Sequence, residues 1–179
     1  MPQGHNTMND PRKPEKTELY GILTTTTATF LTSFAGSSSN IALPTIGAHF
    51  GLDAVDLGWI ALSYMLATAA LVLPMGRLGD IHGRRRVFII GVTIFTVASA
   101  LCALPFDFGF LLAARVLQGV GASMQFATGM AMTTSIFPAA RRGAALGINT
   151  ASVYVGLSVG PTFGGWLTHA FGWHSVFWA

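Results

Sequence analysis

Charge is what this sequence has least of. Lys, Arg, Asp and Glu make up 9% of its 179 residues, against 51% hydrophobic residues, whereas a soluble domain carries about 25% charged residues. That balance excludes an ordinary water-soluble domain and makes lipid the expected solvent. Cysteine is nearly missing as well. Cys102 stands alone, which excludes an internal disulfide and a thiolate metal cluster and leaves a buried apolar thiol. One enzyme signature is missing too, since no phosphate-binding glycine loop ends in Lys-Ser or Lys-Thr; the one Gly-x-Ser-x-Gly, Gly156 to Gly160, falls inside a long uncharged stretch rather than at the strand-to-helix elbow that exposes a nucleophile. No histidine lies in an apolar span where it could serve a buried serine, so no enzyme is expected. His49 falls at one junction and His169 and His174 at another, without ligand spacing, and no metal site is expected. The net charge of +3 comes without a basic stripe interleaved with aromatics, so nucleic acid is not an expected partner.

What is there is a series of long uncharged windows, at residues 19–52, 57–76, 87–106, 116–140 and 143–179. Crossing the hydrocarbon core takes about 20 helical residues, and backbone groups in lipid must bond within their own segment. The windows predict helical spans at 19–43, 57–76, 87–105, 109–132 and 144–168, with a sixth starting near Trp173. The expected fold class is therefore an all-α membrane protein with five full transmembrane helices and the start of a sixth. Basic "PRKPEK" before the first span allows a signal peptide, but the uncharged stretch far exceeds the usual apolar region of one. Residues 1–17, rich in Pro, Lys and polar side chains, read as a disordered cytoplasmic N-terminus. Residues 18–179 read as the transmembrane bundle.

The basic residues alternate along the chain. Arg12, Lys13 and Lys16 precede the first span, Arg77, Arg84, Arg85 and Arg86 separate the second from the third, and Arg141 and Arg142 separate the fourth from the fifth. The intervening junctions carry none, so the positive-inside rule places the N-terminus and the arginine junctions in the cytoplasm. The most charged junction, "GRLGDIHGRR", also has a fixed order: Gly76, Leu78, Asp80, Gly83, Arg84 and Arg85. Glycines permit a short turn there, while Asp80 can cap the next helix and hold an arginine.

Arg115 is the one charge within a span, and an intramembrane guanidinium normally faces a cavity or a partner. Snorkelling to the outer surface is the competing reading. Gln118, Ala122 and Gln125 continue its helix stripe, which reads as one wall of a hydrated central cavity. All seven acids lie outside the expected hydrocarbon regions, so no intramembrane proton carrier is evident. The counter-charge of Arg115 then comes from chain beyond this segment or from an anionic group on a substrate. The first span is rich in Ser and Thr, which suit helix packing as well as substrate contact, and it ends near Asn40, whose amide can face Arg115 or a polar substrate group. In the fifth span Gly156, Gly160 and Gly164 share one face, beside Pro161 and Gly165. That face suits tight packing, and equally gating or sealing against ion leak; Pro161 should bend the helix.

These motifs resemble the major facilitator superfamily. "GRLGDIHGRR" matches every position of its signature between the second and third helices, "RVLQGVGA" looks like its fourth-helix motif, and "GLSVGPTFGG" looks like the fifth-helix motif of its proton-coupled antiporters. "NIALPTIG", "FPAARRGAALG" and "FGWHSVFW" are similar to the drug:proton antiporter branch. The resemblance implies the N-terminal half of a major facilitator fold in the cell membrane. It implies efflux of small organic or drug-like compounds by alternating access, driven by a proton gradient without a cofactor. It also implies that Asp80 latches against a second half of the transporter and that Arg115 is tied to proton coupling. Partners are then the lipid bilayer, protons, a small-molecule substrate and a missing C-terminal half. A truncated half-transporter, or a non-transporting membrane interaction subunit, is the alternative. The acidic residue that related antiporters often carry before this stretch of the first helix is missing around Ala35 to Ser38.

Overall fold

In a computed structural model, residues 16–104 and 106–178 are described. They form six helices and, among the described residues, no strand: α1 (Lys16–Phe50), α2 (Ala54–His82), α3 (Arg84–Cys102), α4 (Phe108–Ile136), α5 (Ala139–Phe171) and the first turn of α6 (Ser175–Trp178). The tail expected over residues 1–17 lies outside the described residues as far as residue 15, and Lys16 is already helical.

α1, α2, α4 and α5 overrun at both ends the spans read from charge, whereas α3 keeps its length but lies three residues earlier, ending at Cys102 rather than 105. α1 has 35 residues, about 52 Å of helix against a hydrocarbon core of about 30 Å, and it continues past Pro44 to Phe50. Charge marks where a helix leaves lipid, whereas the helix itself stops where the backbone can turn. Gly51, Gly83 and Gly172 supply those turns, each with a positive φ that an L side chain rarely adopts. Asp53 caps α2 by accepting from the amides of Val55 and Asp56, and Asp107 caps α4 by accepting from Phe110.

α1 packs chiefly on α5, and α4 packs between α2 and α3; α1 and α4 meet in the middle. Among the described residues, only α2 and α3 are apolar enough by length and composition alone to cross a membrane, because Ser, Thr and Gly dilute α1 and α5, and Arg115, Gln118 and Gln125 dilute α4. Those small residues form the contacts. In α4, Gly119 and Gly121 point to opposite sides. A Cβ on Gly119 would lie 2.7 Å from the Tyr64 carbonyl of α2, and one on Gly121 would lie 2.8 Å from the Gly91 carbonyl of α3. On the other flank Gly156 and Gly164 of α5 lie against the α1 backbone at Phe30 and Ser38, with Gly160 against Ser37. Ser37 and Ser38 donate to the carbonyls of Gly156 and Gly160 at 3.2 and 3.1 Å, so the hydroxyls of α1 stitch the seam. Gly165 makes only ordinary contact with Ile41, off this face, and α5 runs unbroken through Pro161.

Gly121→Val should push α3 from α4 and abolish a monodisperse, thermally cooperative protein in detergent. Gly147, where an added Cβ meets open space, is the control: Gly147→Ala should hold or raise the melting temperature, because alanine is better than glycine in a helix by up to about 1 kcal/mol. Fluorescence-detected gel filtration across a temperature ramp measures both.

Candidate functional site

α1 and α4 form the floor of a cavity of about 420 Å³ whose flanks are α2 and α5. Its walls are largely apolar, with Ala61, Met65, Phe126, Val153 and Leu157. The polar groups are few: Thr32, Ser33, Ser37 and Asn40 from α1, Tyr64 and Thr68 from α2, and Arg115 from α4. An apolar pocket with sparse polar anchors suits an amphipathic organic molecule.

Arg115 does not snorkel. Only 1% of it is exposed, and its Nη1 donates to Gln118 Oε1 at 2.9 Å. The guanidinium lies 5.5 Å from the ring centroids of both Tyr64 and Phe177, an arrangement in which ring faces partly replace water around the cation. No acid reaches it among the described residues, and its Nε has no partner. The charge is held by one neutral amide, two aromatic faces and the helix around it.

The stripe expected from Arg115 through Gln125 is present, but its members part company. Gln118 is 1% exposed and donates to Ser99 of α3 at 2.7 Å, so its amide relays the α3–α4 contact rather than facing the large cavity. Gln125 accepts from Thr32 at 3.0 Å and donates weakly to the Gly91 carbonyl at 3.4 Å. It lines a second cavity of about 250 Å³ between α1, α3 and α6. The cause is the rotation of α4 between two neighbours: one stripe on the middle helix cannot face a single cavity along its whole length. Asn40 is exposed on the wall that Arg115 shares, without a hydrogen bond to it among the described residues. Tyr64 joins that wall, whereas Tyr154 stands exposed outside it and Asn149 is buried with an unpartnered Oδ1.

The arginine-rich end departs from expectation in one respect. Asp80 does not cap α3. Gly76, Leu78 and Asp80 all belong to the last turns of α2, and Gly83 alone makes the turn, with no side-chain cap. Because Gly83 changes direction within one residue, Asp80 stays helical, four positions before Arg84, and forms an ion pair with it at 3.0 Å. Arg84 Nη1 also donates to the Ala131 carbonyl near the end of α4 at 3.0 Å, while Arg85 is exposed. The close approach belongs to Gly79, where a Cβ would lie 2.7 Å from Thr128 Cγ2, rather than to Gly76 at 3.7 Å from Ala127.

Two contacts at this end escaped the sequence. Arg142 Nε donates to the Phe137 carbonyl at 3.0 Å, so Arg84 and Arg142 together cover the carboxyl end of α4, whose own last turn has no basic residue. Glu18, 6% exposed, pairs with Arg141 at 3.1 Å and ties the first turn of α1 to that of α5. A cation at a helix N-terminus opposes the helix dipole. An arginine in the first turn of α5 was therefore the available signal for an acidic partner elsewhere.

The Major Facilitator Superfamily profile matches residues 25–179, and the chain belongs to that family of integral membrane transporters. It is 40% identical over 148 residues to the riboflavin transporter RibZ of Clostridioides difficile, covering 83% of this chain and 32% of that protein. With the multidrug resistance protein Stp of Mycobacterium tuberculosis H37Rv it shares 36% identity, over 90% of this chain and 30% of the relative. With the cephamycin export protein CmcT of Amycolatopsis lactamdurans it shares 42%, over 84% and 31%. The chain thus spans about a third of the length of these relatives. In fold it is similar to a bacterial homolog of the human lysosomal transporter Spinster, solved inward-facing and unoccupied, with a TM-score of 0.77 at 23% identity, over 92% of this chain and 40% of that one. The six helices correspond to the N-terminal half of the major facilitator fold.

Because Gln118 is the guanidinium's only side-chain acceptor among the described residues, Gln118→Leu should cost about 2 kcal/mol, the range for a hydrogen bond to a buried charge. Gln118→Glu should retain or raise stability by placing a carboxylate where the amide oxygen stands. Thermal unfolding in one detergent should rank them Glu at or above Gln, and Leu lowest.

Proposed function

We propose that residues 18–179 are the N-terminal transmembrane bundle of a proton-coupled efflux antiporter of the drug:proton branch. It carries small organic or drug-like compounds by alternating access between this bundle and a second, C-terminal one. It lies in the cell membrane with its N-terminus and arginine junctions cytoplasmic, and uses the proton gradient rather than a cofactor. The observation that carries this reading is Arg115, a buried cation on the wall of an apolar cavity, with no acid beside it among the described residues. Such a charge is costly in lipid and persists where a process uses it.

In this reading the counter-charge comes from the second half, and protonation of that acid changes how tightly Arg115 holds it. Asn40 and Tyr64 contact the carried compound from the same wall. Gln118 and Gln125 hold α4 in register with α3 and α1, while Gly156, Gly160 and Gly164 with Pro161 keep the α1–α5 seam closed to ions. Gly76, Leu78, Asp80, Gly83, Arg84 and Arg85 present the cytoplasmic latch, in which the Asp80–Arg84 pair docks on the other half. The names of the relatives, which include multidrug resistance and antibiotic export, support the direction of transport.

A toxicity panel on cells expressing the intact protein identifies a responsive compound, and inside-out vesicles then test the coupling. Adding that compound should discharge a preformed pH gradient. Arg115→Ala and Arg115→Lys should each slow the discharge at least about tenfold, the loss expected for a residue that contributes about 1.4 kcal/mol to the rate-limiting step. Asp80→Asn should abolish transport with normal membrane insertion. Unchanged coupled transport in both Arg115 variants contradicts the coupling role, and full activity in Asp80→Asn contradicts the latch.

A further inference from the structure

The end of the bundle opposite the arginines gathers rings that the transport reading leaves unused. Trp173, in the turn between α5 and α6, is 3% exposed and belongs to the same core cluster as Ile46, Cys102 and Leu111. His174 stacks on it with ring centroids 3.7 Å apart and planes 25° apart. His49, in the last turn of α1, meets Trp173 at 5.6 Å and His174 edge-on at 5.9 Å. Two histidines that the sequence scatters over separate junctions thus share one aromatic contact.

We propose that His49 and His174 form an acid-sensitive clasp that fastens the end of α1 to the α5–α6 turn, closed while both rings are neutral and released when they are protonated.

No polar bond holds these rings in place. Trp173 Nε1 and His174 Nε2 are buried without hydrogen-bond partners, so the contact rests on apolar ring surface. A proton on His174 puts a charged N–H where no acceptor stands, and a second on His49 adds repulsion across 5.9 Å. Stacking on the indole face attracts an imidazolium but does not satisfy that N–H. Consistently, burial first and the neighbouring His49 second lower the pKa of His174 below the usual histidine range. The sign follows: a group whose pKa is depressed in the closed contact stabilises it fully above the ordinary histidine pKa of about 6.5, and that stability is lost as pH falls through the lowered value.

The ionisable groups on the surrounding elements are His169 in the last turn of α5, Asp53 and Asp56 at the start of α2, Cys102 at the end of α3, Asp107 capping α4, and Arg115 in α4. α6 has none over its described turn. None of them forms an ion pair with either histidine among the described residues. The clasp depends on neither the carried compound nor the coupling mechanism, so its failure leaves the transport reading standing.

The test is a distance measurement on the intact protein in lipid nanodiscs, with spin labels at Thr45→Cys in α1 and Phe171→Cys at the end of α5. Cys102, fully buried, stays in place. Between about pH 8 and about pH 4.5, which brackets histidine titration, the distribution should be narrow at the upper end. It should lengthen or broaden below a midpoint lying under the ordinary histidine value. His49→Gln, at an exposed position, should lower that midpoint by roughly half a pH unit, because release then lacks the repulsion of a unit charge about 6 Å away in a water-like medium. His49→Gln with His174→Gln should remove the response. A distribution that does not change with pH, an unmoved midpoint in His49→Gln, or an unaltered response in the double variant overturns the clasp.

Discussion

Close approach of backbones holds this bundle together. Lipid gives helices little hydrophobic gain for meeting one another, so association depends on packing and on interhelical hydrogen bonds. α4 is gripped on both sides because Gly119 and Gly121, two residues apart, open opposite faces to α2 and α3. α5 is held to α1 by glycines on one helix and serine hydroxyls on the other. With these two seams set, α1 and α4 become a floor and α2 and α5 become flanks, and the large cavity is the space left between them. The second seam also explains the hydroxyl-rich first helix: Ser37 and Ser38 are spent on packing, while Ser37 keeps one edge on the cavity.

The same packing decides the state of Arg115. A guanidinium at this depth is tolerable because Gln118 is anchored in turn by Ser99, and because Tyr64 and Phe177 shield it. The chain from cavity wall to α3 is therefore continuous: Tyr64 and Arg115, then Gln118, then Ser99. Arg115 and the α3–α4 contact are thereby linked through one amide. At the arginine-rich end the logic is reversed, with the carboxyl end of α4 covered by cations from α3 and α5 and the start of α1 pinned by Glu18 to Arg141.

The helical architecture was legible from charge alone, since five uncharged stretches of sufficient length leave no other solution in lipid. Helix ends were less so. α1 runs seven residues past the expected limit of 43, to Phe50, because Pro44 does not stop it and Gly51 does. Arg115 stood out as a lone charge within a span, and its burial followed from cost. The fate of Gln118 and Gln125 did not, because a stripe on one helix carries no information about where its neighbours stand. The role expected of Asp80 as a cap failed for a local reason: the conformation of Gly83 is not written in the spacing of the motif. Glu18 with Arg141, and His49 with His174, join residues far apart in the chain, and such pairs emerge only once the helices are packed.

The proposed transport role requires that a carried compound meet the wall shared by Asn40, Tyr64 and Arg115. Cysteine accessibility tests that most directly. In the intact protein, Asn40→Cys should react with a water-soluble thiol reagent, and a transported compound should slow the reaction. Val55→Cys, exposed at the start of α2 and outside the cavity wall, should react at a rate the compound does not change. An Asn40→Cys that resists the reagent, or reacts equally fast with and without the compound, would contradict the assignment of this cavity to transport.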